Sequence, residues 1–127
     1  MKWHIEFYAK PKHVRITLSG TLRVDALRDV WTDIFSRGYW RKDSPIVFDL
    51  GDIEVDLSYE EVEAIVVMLE EIRGEFPGER LLIIAGSASQ FGKTRQYQAL
   101  AELREGLRVD IFRNEEEALK SLIADHP

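Results

Sequence analysis

Hydrophobic and polar positions alternate one by one at the start of the chain. Trp3, Ile5 and Phe7 interleave with His4, Glu6 and Tyr8. After Ala9-Lys10-Pro11-Lys12, the residues Val14, Ile16 and Leu18 interleave with His13, Arg15 and Thr17. A period of two puts each set on one side of a pleated strand, so the pattern predicts an antiparallel hairpin whose wetter face carries His4 and His13. Ser19-Gly20-Thr21 breaks the second strand. The period then changes, because Val24, Leu27, Val30, Trp31, Ile34 and Phe35 fall three or four apart until Gly38. That is the spacing of a helix with one buried face.

Two later runs lack any polar alternation: Ile46–Leu50 (IVFDL) and Leu81–Ala85 (LLIIA). They predict central strands covered on both faces. Between them the pattern gives a helix from Tyr59 to about Arg73, closed by Gly74 and Pro77-Gly78. A third helix is expected over Ser89–Arg104, ending at Gly106. Leu107, Val109 and Ile111 then alternate with Arg108, Asp110 and Phe112, as in a half-exposed strand near an edge. Asn114, with Glu117 three residues on, opens a last helix that buries Ala118, Leu119, Leu122 and Ile123. The order is ββαβαβαβα, and successive β–α–β units demand right-handed parallel crossovers. One α/β domain over 1–127 is therefore expected. It would have a single five-stranded sheet, mostly parallel with an antiparallel N-terminal hairpin strand, packed against four helices.

Charge narrows the partners. The 127 residues hold 17 basic and 23 acidic side chains, a formal charge of −6. An acidic chain gains little from phosphate backbones, so nucleic acid is not an expected partner. Cysteine is absent, which removes disulfides, thiol catalysis and cysteine-bound metal. The alternating N-terminus lacks the apolar core of a signal peptide, and no segment approaches the ~18 apolar residues of a membrane span. A cytoplasmic protein with no membrane span is the expectation.

Candidate chemistry is sparse. Ser58-Tyr59-Glu60-Glu61 reads as a capping box, the Ser58 hydroxyl accepting from the Glu61 amide while the Glu61 carboxylate reaches back. Ser58 is a helix cap, and a regulatory site in addition is the alternative. Asp49, Asp52, Glu54 and Asp56 form an acidic loop without the glycine-punctuated spacing of a calcium site. Gly86-Ser-Ala-Ser-Gln-Phe-Gly92-Lys93-Thr94 follows a buried strand, but five residues separate its glycines where a phosphate loop has four. A weak anion-binding helix start at Ser87, Ser89 and Lys93 remains open there. His4 and His13 near Glu6 make too few ligands for zinc, so no metal is expected. Arg37-Gly38-Tyr39-Trp40-Arg41-Lys42 is either a loop over the sheet edge or a seat for an anionic or planar ligand.

In the helix after Ser58, the residues Val62, Ile65, Val66, Leu69 and Ile72 suffice to dock it, while Ala64, Val67 and Met68 widen the apolar surface. Two readings stand: an exposed patch for a protein partner or a second copy, or a broad core contact with Met68 filling a gap. No nucleophile, base and orienting acid converge. Neither a catalytic residue nor a cofactor is expected.

The element order, with DLGDIEVDLSYEEVEAIVVMLEEI in the middle and GLRVDIFRNEEEALKSL at the end, resembles the STAS domain family (sulphate-transporter and anti-sigma-factor-antagonist domains). It is most similar to the divergent SpoIIAA-like, STAS/SEC14-like branch, over roughly Lys12 to Ile123. The resemblance implies a SpoIIAA-like sheet and a regulatory, non-enzymatic interaction module. In regulatory members a strand ending Asp-Leu leads to Asp-Ser-Ser-Gly, whose second serine is phosphorylated. Here Asp49-Leu50 matches the strand end, and Asp56 and Ser58 match the motif. Leu57 replaces its first serine and Tyr59 its glycine. The implied phospho-switch or partner contact is thus Asp56, Ser58 and Tyr59. The SEC14-like label implies the alternative, a carrier of a small apolar or anionic ligand, for which Trp31, Trp40, Tyr39, Tyr97 and Phe91 supply aromatic surface.

Overall fold

The computed structural model describes residues 1–38, 44–73, 80–105 and 108–125. Tyr39, Trp40, Arg41 and Lys42 of the basic-aromatic stretch lie outside them, as do Gly74, Pro77, Gly78, Gly106, Leu107 and His126. The elements follow the predicted order. They are β1 (Lys2–Ala9), β2 (Lys12–Ser19), α1 (Val24–Ser36), β3 (Ile46–Asp49), α2 (Tyr59–Arg73), β4 (Arg80–Ile84), α3 (Ala88–Glu105), β5 (Arg108–Phe112) and α4 (Glu115–Asp125). The five strands lie side by side in chain order, β1 antiparallel to β2 and the rest parallel. No helix among the described residues is long and apolar enough to cross a membrane.

Burial follows the sequence periods with an exception at Ile123, expected in the buried stripe of α4 and found 57% exposed. On one face of the sheet, Val14, Ile16, Leu18, Ile46, Phe48, Leu81, Ile83 and Val109 pack under α1, α2 and α3. On the other, Val47, Leu82 and Ile84 pack against Ala118 and Leu122 of α4. β3 and β4 are therefore covered on both sides, which is why their runs lack polar alternation. α2 is flanked by α1 and α3 on the same layer. A helix with neighbours on both sides buries more than one stripe, and Met68 is only 3% exposed within the core cluster. The exposed-patch reading fails for Met68, which fills the interior beside Val62, Ile65, Val66 and Leu69.

The hairpin's outer face departs from expectation at His13, which is 2% exposed rather than solvated. Its ring stacks on that of Tyr8, centroids 4.8 Å apart and planes 4° from parallel. Its Nδ1–H donates to the Pro11 carbonyl at 2.7 Å, since a carbonyl can only accept. His4, two pairs along the same face, stays exposed and bonds Glu6 at 2.6 Å. Arg15 stands beside His13 between Asp49 of β3, at 2.5 Å, and Glu115 at the start of α4, at 2.8 Å. Burial works against that charge, but the bonds from Glu115 and Asp49 outweigh it and raise the guanidinium pKa.

Burial also lowers the His13 pKa below the ordinary imidazole value, with the Pro11 carbonyl opposing in part. The unfolded chain then takes up a proton before the folded one does. Stability is full above about pH 6.5 and declines as the pH falls toward the depressed value. Urea melts at about pH 7.5 and about pH 5.5 should show this loss in the wild-type protein and a smaller loss in His13→Gln.

Candidate functional site

The parallel strands end on one edge of the sheet, and the chain leaving β3 there builds the site. Leu50 donates its amide to the Ile84 carbonyl at 3.1 Å. Gly51 then turns the chain at φ +54, a conformation that costs a residue with a Cβ about 1–2 kcal/mol. Asp49 Oδ1 accepts the Gly51 amide at 2.9 Å, closing the turn. Beyond this turn the expected acidic loop keeps its carboxylates in solvent, and a single bridge ties it to the chain after β2. Glu54 donates its amide to the Gly20 carbonyl and accepts the Leu22 amide, both at 2.9 Å, in a parallel bridge beside Thr21. Ile53, Val55 and Leu57 point into the core, while Asp52, Glu54 and Asp56 are exposed.

The segment is held from the other side by Gln90 in the first turn of α3. Gln90 is buried, and its carboxamide uses its full hydrogen-bonding capacity. Its oxygen accepts the Gly86 and Ser87 amides at 3.1 and 3.3 Å. Its nitrogen donates to the Gly51 and Ile53 carbonyls at 3.1 and 3.0 Å. Those partners fix which end is oxygen, because amides only donate and carbonyls only accept. Ser87 Oγ accepts the Gln90 amide at 3.1 Å, so Ser87 and Gln90 form a capping box. Ser-x-x-Gln was readable at this position.

Ser58 sits at the end of the pinned segment as the cap of α2. Its hydroxyl accepts the Glu61 amide at 3.2 Å, and Glu61 Oε1 accepts the Ser58 amide at 3.0 Å. Asp56, Ser58 and Tyr59 all lie exposed on this shoulder, and the Tyr59 ring is 52% exposed. Leu57, which stands where the resembling motif has its first serine, is buried. Ala64, exposed, and Val67, half-buried, line a groove between α2 and α1, spanned by an Arg28–Glu71 contact of 3.6 Å.

The residues proposed for an anion at the start of α3 are not brought together. Ser87 and Ser89 line a shallow cleft whose opposite wall carries Asp52, Glu54 and Asp56, a negative rim that repels an anion. The Gly86, Ser87 and Gln90 amides are already committed within the chain. Lys93 faces elsewhere. Among the described residues it is the one charged side chain lining an apolar cavity of about 80 Å³, walled by Leu18, Trp31, Phe48, Leu57, Ile65 and Tyr97. Among the described residues no carboxylate pairs with Lys93, and no group of three or more His, Asp or Glu side chains is placed to hold a metal.

This architecture, a five-stranded mixed sheet with four helices, is a SpoIIAA-like α/β fold. A crystal structure of an uncharacterized protein of the DUF3478 family with a SpoIIAA-like fold, from Shewanella loihica PV-4, superimposes with a TM-score of 0.58. The match covers 95% of this chain and 92% of the other at 16% identity. No family model matches the chain, and no curated protein does.

The two serine-led caps differ in what they hold. Gln90→Leu strands the buried Ile53 carbonyl together with the part-buried Gly51 carbonyl and Gly86 and Ser87 amides, and should lower the unfolding free energy by about 2–3 kcal/mol in urea titrations. Ser58→Ala should cost only about 1 kcal/mol in the same assay, the ordinary loss of an exposed cap.

Proposed function

We propose that the chain is a non-catalytic, STAS-like contact module whose shoulder at the start of α2 meets a protein partner. The observation that carries this reading is the exposed Tyr59 ring beside Ser58 and Asp56, on a segment fixed to the sheet edge from both sides. A half-exposed aromatic on rigid backbone offers contact area at low entropic cost. Further along α2, Ala64 and Val67 line the groove toward α1 among charged residues of both helices. Phosphate on Ser58 would displace the reciprocal bond with Glu61 and set new negative charge beside Glu60 and Glu61. That change reshapes the shoulder without touching the core.

The second reading, a small-ligand carrier, is favoured by the apolar cavity and Lys93. The volume restricts it to a compact apolar group with an anionic head, because sites for drug-sized ligands span roughly 300–1,000 Å³. Native mass spectrometry of freshly purified protein distinguishes the readings. The contact module gives the bare chain mass, and a retained small acid favours the carrier.

The partner test compares proteins captured from the native cell by the wild type, Tyr59→Arg, Val67→Glu and, as a control on the far face, Lys120→Glu. Loss of the same specific partner from the first two variants alone is expected, with about tenfold or greater weakening when affinity is measured with that partner. A partner set unchanged by Tyr59→Arg and Val67→Glu overturns the reading.

A further inference from the structure

β1 is the outermost strand of the sheet. One side pairs with β2 along its whole length, from Lys2↔Ser19 to Ala9↔Lys12, and among the described residues nothing pairs with the other. Exposed edges are commonly blunted by proline, central lysines, bulges or brevity. β1 has none of these within its eight residues, its only lysine being Lys2 at the start. Two of the large hydrophobics left exposed lie on it, Phe7 at 53% and Tyr8 at 37%.

The sequence of this edge is complementary to itself. A two-fold axis perpendicular to a sheet keeps each face on its own side, so the axis of an antiparallel pair of identical strands must pass through a residue and not between two. Centred on Glu6, the pairing sets like carboxylates opposite each other. Centred on His4, it sets two imidazoles together and leaves Phe7 beyond the overlap with the partner strand. Centred on Ile5, it sets His4 opposite Glu6 of the second copy, Trp3 opposite Phe7 and Lys2 opposite Tyr8. An imidazole opposite a carboxylate and an aromatic pair then face each other on both sides of the axis. Trp3 is already half-buried and anchored to α1, its indole N–H donating to Asp33 at 3.3 Å. It therefore presents a fixed ring to the exposed Phe7. We propose that two copies of this chain associate through β1 in the Ile5-centred antiparallel register, joining their sheets into one of ten strands. This surface is separate from the α2 shoulder, and either stands without the other.

The chain has no cysteine, which makes the register directly readable. In light scattering of the full chain at about 0.1 mM, a mass twice the 14.7 kDa of one chain is expected. Glu6→Lys should weaken the dimer about tenfold or more, and adding His4→Glu should restore it by reversing the pair. Under mild oxidation, Ile5→Cys should form covalent dimers, because paired Cα atoms lie within disulfide reach, while Phe7→Cys, displaced from its own copy, should lag about tenfold. Circular dichroism verifies that each variant is folded, and the charge-reversal pair tests the register without Ile5→Cys. A monomer at every concentration overturns the proposal. So does a dimer indifferent to Glu6→Lys, or one whose cross-linking is faster at Phe7→Cys than at Ile5→Cys.

Discussion

One buried carboxamide ties together the sheet edge that carries the candidate site. Gln90 joins the turn after β3 to the first turn of α3 through four hydrogen bonds that leave none of its polar capacity unused. The segment 53–57 is thereby gripped on one side by α3 and on the other by the chain at Gly20–Leu22. Its apolar side chains enter the core and its acidic ones stay in water. Ser58 and Tyr59 inherit a fixed position from this arrangement, and a contact surface needs that fixity if binding is not to be offset by ordering cost.

The arrangement of helices explains the rest of the site. Three helices share one face of the sheet, and α2 is the middle one. It loses both flanks to its neighbours, so Met68 joins the core and the solvent face is left to Tyr59, Ala64 and the glutamates Glu60, Glu61, Glu63, Glu70 and Glu71. Around the core, arginines stitch strands to α4. Arg15 links β2 and β3 to Glu115, and Arg80 reaches Asp110 at 2.8 Å and also Ser121. The small apolar cavity lies on the opposite face, between the sheet and α1, α2 and α3, and among the described residues Lys93 is the charged one that lines it.

Much of this was legible in the chain. The hairpin, the two doubly covered strands, the order of elements and the start of α2 follow from periods of two and 3.6 and from a capping box. The features that escaped depended on neighbours that a local pattern does not encode. Met68 looked like spare apolar surface because nothing local says that α2 has a helix on either side. His13 looked solvated because its cover comes from Tyr8 across the hairpin. Segment 53–57 is the loop expected, but the bridge that ties its Glu54 to Thr21 is a contact no local pattern encodes. Lys93 and Ser87 are near in sequence yet serve different spaces, since a helix turns successive residues to different sides. Gln90 was visible as the end of a capping box, but its reach to Gly51 and Ile53 is a tertiary fact.

Native-state amide hydrogen exchange at Leu22 and Glu54 tests the pinned segment most directly, because their N–H groups bond the chain across that bridge. If the segment is part of the folded framework, both amides exchange as slowly as those of the central strand residue Ile83, opening only with the whole domain. Exchange at the rate of an exposed loop, with Ile83 still protected, would contradict the account and leave the shoulder without its support.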